Sequence, residues 1–260
     1  MKWQPTSRKR KERAHREQKK VVSPARSALS AMLSGEARSP LIASQDQAVQ
    51  ELLSEHPSSG SLLEAARSTV ERGEELARRQ LQVLPPDRPI ACHEGCAWCC
   101  NVRVEVSVPE LALLVDFLRR TRGPEELSRL AARVTALAAD PRVKSKDQKP
   151  QARIACALLE SGRCSAYDAR PLACRGCTSY DASSCERSLD DPDEAGAFYY
   201  PQLETFMSLS LGLLRGLFQR KLGTEVLELT SGLSIALGDP GAIERWIAGE
   251  PVFDPARVDV

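Results

Sequence analysis

The chain has 260 residues and a net charge of +1, so it has room for one large domain or two small ones, and a chain that is basic throughout is excluded. Its hydrophobic fraction is 42% but its aromatic fraction only 5%, so the core must be built from Leu, Val and Ala, a bias toward helix over sheet. No segment resembles a secretory leader, and none approaches the roughly 20 apolar residues of a membrane span. The expectation is therefore a soluble cytoplasmic protein with no membrane association.

Residues 1–40 are read as a tail. Met1 to Lys20 carry nine Lys/Arg against two Glu, and the sequence then turns rich in Ser, Ala and Pro. The plainer reading is a disordered, solvated extension. The alternative is an arm that binds nucleic acid through residues 1–20.

Residues 41–86 are expected as an N-terminal helical segment, with helices over 44–56 and 61–84. Leu62, Leu63, Ala66, Val70, Leu76 and Leu81 form an imperfect apolar stripe. Pro85, Pro86 and Pro89 then end the helix and open a cysteine domain over 87–190. After the first cysteines, Val102, Val104 and Val106 alternate with Arg103 and Glu105, which predicts a short strand. Ser107, Pro109 and Glu110 spell a helix start with a capping box. Gly123-Pro124 breaks that helix, and a second runs to Asp140-Pro141. Residues 141–150 read as a charged loop, 154–164 as a hairpin turning at Ser161-Gly162, and 165–193 as irregular. Residues 191–260 are expected as C-terminal helices that pack on the cysteine domain. The longest opens at Pro201, and Gly223, Gly232 and Gly238 punctuate a final pair. Arg215, Gln219 and Arg220 along the Leu-rich stripe exclude a membrane helix there.

The informative feature is the cysteine pattern. The chain has nine cysteines, an odd number, and in a reducing compartment clustered thiols point to metal or redox chemistry rather than to disulfides. Cys92, Cys96, Cys99 and Cys100 fall within nine residues, and Gly95 supplies a tight turn. Cys156, Cys164, Cys174, Cys177 and Cys185 follow, with Cys174 and Cys177 a second C-x-x-C. Soft thiolates select zinc, copper(I) or iron–sulfur clusters over magnesium or calcium. A structural zinc and a [4Fe–4S] cluster each take four such ligands, so nine cysteines allow at most two fully cysteinyl sites. Cysteine at position 100 in place of histidine excludes a c-type haem motif. Cys92, Cys96 and Cys99 also have the C-x3-C-x2-C spacing of radical S-adenosylmethionine enzymes, with Trp98 as the aromatic residue before the last Cys, but no βα repeat follows.

The run C-x3-C-x2-C-C at Cys92–Cys100, Cys156-x7-Cys164 and the string Tyr167-x2-Arg170-Pro171-x2-Cys174-Arg175 resemble the YkgJ-type cysteine-cluster proteins, a family of zinc- or iron-chelating domains. The resemblance spans about residues 88–180. It implies a ligand set of Cys92, Cys96, Cys99, Cys100, Cys156, Cys164 and Cys174. Cys177 and Cys185 lie outside the pattern, and Cys177 is added as a candidate ligand on its C-x-x-C spacing. Arg170 and Arg175 are candidates for contact with the bound group, or for a brace of the loop. His93 is assigned to solvent or the metal's surroundings, Trp98 to a lid, and Tyr167 to packing with a hydroxyl hydrogen bond.

These readings predict a mainly α fold, with helices packed around a small irregular Cys-rich metal-binding module that carries a short β-hairpin. The expected function is metal binding, with an iron–sulfur cluster (4Fe–4S) or Zn as cofactor and an unidentified protein or small-molecule partner. Relatives of the family include flagellin lysine N-methylases, so one alternative is a methyltransferase-like or radical-type enzyme with an open iron. The other is an interaction protein with structural zinc and a basic arm. No phosphate-binding loop or nucleophile elbow is present.

Overall fold

In the computed structural model, residues 39–144, 153–191 and 196–258 are described, together with Met32, Leu33 and Gly35. Residues 37–258 form one compact unit. The expectations for the basic run 1–20 and for residues 145–150 lie outside the described residues.

Nine α-helices are found among the described residues, with two small antiparallel sheets. Helix α1 (Pro40–Leu53) is capped by Ser39, whose Oγ accepts from the Ile42 N–H. Helix α2 (Ser59–Val83) opens on a Ser58–Ser61 capping box and ends just before the prolines. At 25 residues it is the longest, a place expected for the helix opening at Pro201. That helix, which we label α7 (Tyr200–Gln219), has 20 residues. The α1–α7 seam is tight because Gly212 and Gly216 present no side chain to it. A Cβ on Gly216 would lie 2.4 Å from Val49 Cγ1, and one on Gly212 would lie 2.6 Å from Gln45 Cβ. Arg215, between them, is buried and pairs with Asp46 of α1 at 3.2 Å.

Strand β1 (Glu105–Ser107) is the expected strand, shortened, and it pairs with β4 (Val226–Glu228), which the sequence reading missed. Each strand runs straight into a helix. α3 (Val108–Thr121) begins with the Ser107–Glu110 capping box, and α8 (Leu229–Gly238) is capped by Glu228, which accepts from the Thr230 and Ser231 N–H groups. Helix α4 (Pro124–Ala138) packs on α8, and α9 (Ala242–Ile247) buries Trp246. The hairpin β2 (Leu159–Glu160) and β3 (Arg163–Cys164) turns at Ser161-Gly162, where φ of +50° and +76° give the left-handed turn that suits strand twist. Residues 165–191 are less irregular than expected. They contain a 3-10 turn (Tyr167–Ala169), α5 (Leu172–Gly176) and α6 (Ala182–Asp190).

Candidate metal centre

A cavity of about 380 Å³ opens between α2, α3, α5, α7 and the connecting segments. Eight cysteines line it: Cys92, Cys96, Cys99, Cys100, Cys156, Cys164, Cys174 and Cys177. These are the seven cysteines of the family-like pattern together with Cys177. Cys185, on α6, is half-buried but does not line the cavity.

Local bonding places each group. Gly95 has φ of +96°, and the Cys96 N–H donates to the His93 carbonyl at 3.0 Å, so the chain doubles back between Cys92 and Cys96. Cys99 and Cys100 sit in a 3-10 turn (Trp98–Asn101), in which the Cys100 N–H donates to Ala97 O at 3.0 Å. The two distant segments are then stitched together. Cys156 N–H donates to Cys100 O at 2.7 Å, Ala91 N–H to Ser179 O at 2.8 Å, and Ser179 N–H to Cys92 Sγ at 3.1 Å. The hairpin bearing Cys164 is held by Glu160, which accepts from Arg133 at 2.6 Å and from Arg122 at 3.1 Å.

Cys174 is placed by α5, a helix too short to stand alone. The buried Glu110 caps two helices at once. One carboxylate oxygen accepts from the N–H and hydroxyl of Ser107, and the other accepts from the Leu172 N–H at 2.9 Å. The sequence reading found the first role of Glu110 and not the second. On its far side α5 rests on Phe206, which is wedged between two glycines. A Cβ on Gly176 would lie 3.0 Å from Phe206 Cβ, and one on Gly73 would lie 2.5 Å from its Cε1.

Both arginines line the cavity, with different roles. Arg175 is buried, and its fork is spent inside the protein: Nε donates to Arg170 O at 2.7 Å, one terminal nitrogen donates to Asp168 O, and the other pairs with Glu74 of α2. It acts as a brace, and nothing in the sequence pointed to Glu74. The Arg170 guanidinium carbon sits over the Tyr167 ring, 3.5 Å from its centroid, and Nε donates to Tyr167 O. Arg170 lines the cavity with Cys99, Cys164 and Cys174, and its charge partly offsets the upward shift of those thiols.

Tyr167 packs as expected, but its hydroxyl has no hydrogen bond among the described residues. His93 is exposed at the cavity edge. Its Nδ1 lies 2.9 Å from Ala91 O, and because a carbonyl only accepts, that nitrogen carries the proton. Trp98, expected as a lid, is half-buried and is not among the residues lining the cavity.

Burial pushes the Cys156 thiol up to about 11 and the Cys177 thiol up to about 12. Burial also raises Cys92, Cys164 and Cys174, while for Cys99 the largest cause is its hydrogen bond with Cys100. Without a cation, these sulfurs are therefore neutral thiols near pH 7. Among the described residues, no three Cys, His, Asp or Glu side chains are gathered, as they stand, into a group that could hold an ion. No helix among the described residues is long and apolar enough to cross a membrane. No family model, curated protein or solved structure matches the chain.

Proposed function

We propose that this chain is a metal-binding protein that holds an iron–sulfur cluster or zinc through Cys92, Cys96, Cys99, Cys100, Cys156, Cys164, Cys174 and Cys177. The observation that carries the reading is the shared cavity: eight thiols from two segments far apart in sequence open onto one space. A neutral thiol gains little from such company, whereas a soft cation needs it. Gathering four sulfurs onto an ion asks for side-chain rotation, and one change of χ1 swings a Sγ by roughly 3 Å. The backbone N–H bonds to Cys92 Sγ and Cys156 Sγ are of the kind that orient thiolate ligands. The resemblance to the YkgJ-type family supports seven of these ligands, all but Cys177. Iron–sulfur is preferred over zinc on the resemblance to that family, while eight thiols are enough for two four-thiolate centres of either kind.

One observation favours a second reading, an enzyme with an open iron. The cavity continues past the thiols onto a wall of Leu81, Leu114 and Phe206, which leaves room beside a bound group. The radical version of that reading lacks its usual scaffold among the described residues, where both sheets are two-stranded and antiparallel.

The test is anaerobic purification followed by metal and sulfide analysis. Iron and acid-labile sulfide, with a broad charge-transfer absorption, are expected. Stoichiometric zinc in a colourless protein would replace the cluster, and a metal-free protein that binds neither iron nor zinc overturns the proposal. Cys174→Ser should lose the bound group.

A further inference from the structure

The charged groups that line the cavity pair off, with one exception. Arg175 pairs with Glu74, and Arg78 pairs with Glu75. Arg170 is left over. Its Nε donates to Tyr167 O, but its two terminal nitrogens have no hydrogen-bond or carboxylate partner among the described residues. Neither nitrogen is sealed inside protein, so the fork is open rather than orphaned. The turn that carries it is braced on several sides. Pro171 follows, the Tyr167 ring lies against the guanidinium, and Arg175 holds the carbonyls of Asp168 and Arg170. An arginine fixed this way with its fork unspent is a preformed receptor for one carboxylate.

An apolar bed for the rest of such a ligand lies on α2. Glu74, Ala77, Arg78 and Leu81 are spaced three and four apart, so they share one face of the helix, and that face lines the cavity. Its polar end is tied to the Arg170 turn, because Arg175 bonds both Glu74 and the Arg170 carbonyl. From there the face runs through Ala77 to Leu81, with Leu114 of α3 and Phe206 of α7 also on the wall, while Arg78 is largely exposed and turned to Glu75. Leu81 is 37% exposed, and Leu84, three residues on, is 56% exposed with its carbonyl held by the Tyr199 hydroxyl. Two leucines left in water where the cavity wall reaches the surface mark its open end. From Glu74 to Leu81 the helix rises about 10 Å, a span that the alkyl chain of octanoate covers.

From this placement we infer that the cavity binds a small amphipathic organic acid, with its carboxylate on the Arg170 fork and its alkyl chain along Ala77 and Leu81 toward the opening at Leu84. The inference rests on the metal-binding reading for the use of the site, and it names the class of substrate that lies beside the bound group. One uncompensated cation suits a single negative charge, whereas a phosphate calls for several donors converging on it. A cavity of about 380 Å³, mostly apolar with one fixed polar anchor, is of the kind and size that holds small organic ligands. Binding is reversible, and no bond is made or broken in it.

The experiment is titration calorimetry of the anaerobically purified full chain with octanoate, butanoate, octylamine and inorganic phosphate, on samples whose metal content is measured. One octanoate per chain is expected. Each methylene buried tightens binding roughly fourfold, so octanoate should bind more than about 10-fold tighter than butanoate. Arg170→Met removes the charged donors and should weaken octanoate by about 10-fold or more. Leu81→Glu, at the partly exposed opening, should weaken octanoate by a similar factor and leave butanoate unchanged, and it carries the test where Arg170→Met fails to fold. Octylamine or phosphate binding as tightly, an affinity unchanged in Arg170→Met, or no octanoate binding overturns the ligand site; with metal present, the metal-binding reading stands. Octanoate bound by a protein that holds neither iron nor zinc supports the ligand site and overturns the metal reading. A wild-type dimer that Leu81→Glu separates would assign the apolar wall to a second copy of the chain and overturn the proposal.

Discussion

Arg175→Lys keeps the charge of Arg175 and removes its fork, which separates two roles the residue could have. Arg175 reaches three acceptors in different directions: Arg170 O, Asp168 O and Glu74. An ammonium on a flexible stem serves one of them well and leaves at least two unmade. The Glu74 side chain is 48% exposed, so its pairing is largely screened and adds little. The two carbonyls matter more. Hydrogen bonds from a charged donor are worth about 1.5–3 kcal/mol each, and the nearby cavity allows some rehydration, so a total loss of about 2–4 kcal/mol is expected. For a unit of this size, 1 kcal/mol moves Tm by roughly 2–4 °C, which puts the fall at about 5–15 °C. Thermal and urea unfolding of wild type, Arg175→Lys and Arg175→Met provide the assay. Lys should behave close to Met. If Lys unfolds like the wild type, the site needs only a positive charge there, and the brace argument is wrong.

Other outcomes follow from the same geometry. Glu110→Gln turns one of two acceptor oxygens into a donor facing either Ser107 or the Leu172 N–H, so it should cost about 1–3 kcal/mol and quicken amide exchange at the start of α5. Gly216→Ala gains up to about 1 kcal/mol of helix propensity but forces a Cβ to 2.4 Å from Val49 Cγ1. Overpacking costs about 1–3 kcal/mol, so net destabilisation is expected, while Gly238→Ala, which meets nothing within 4 Å, should be neutral or better. A stabilised Gly216→Ala would show that the α1–α7 seam is looser than described. In the metal-free protein, Cys156 and Cys177 have folded pKa values raised above the ordinary 9.0, so their contribution is present below pH 9 and is lost as pH rises through about 11 to 12. Urea midpoints of the metal-free protein should therefore fall above pH 9, and a midpoint that rises there contradicts the burial of these thiols.

Local signals in the sequence were readable where the chain stabilises itself. The Ser107–Glu110 box, the Ser161-Gly162 turn and the proline stop after α2 each depend on residues a few positions apart, and each is found. The cysteine spacings pointed to a shared site, and eight thiols do line one cavity. What escaped depends on distant partners. α6 has a single buried residue, Ser184, so it shows no apolar stripe, and its cap and polar pins decide it instead. β4 is three residues long and exists because β1 lies beside it. Glu74 looks like any solvated helical glutamate until Arg175 arrives 101 residues later. Arg215 likewise served only to exclude a membrane helix, because its partner Asp46 stands 169 residues away.

The stitch between Ser179 and Cys92 has a consequence in time. Ser179 follows Cys92 by 87 residues, so at a synthesis rate of roughly 5–20 residues per second about 4–17 s separate their emergence. Phe206, on which α5 rests, comes later still. During that interval Cys92, Cys96, Cys99 and Cys100 are present with neither their neighbours nor their shelter. A nascent chain thus displays four exposed thiols, open to oxidants and stray ions, and their shelter is complete only after α7 has left the ribosome.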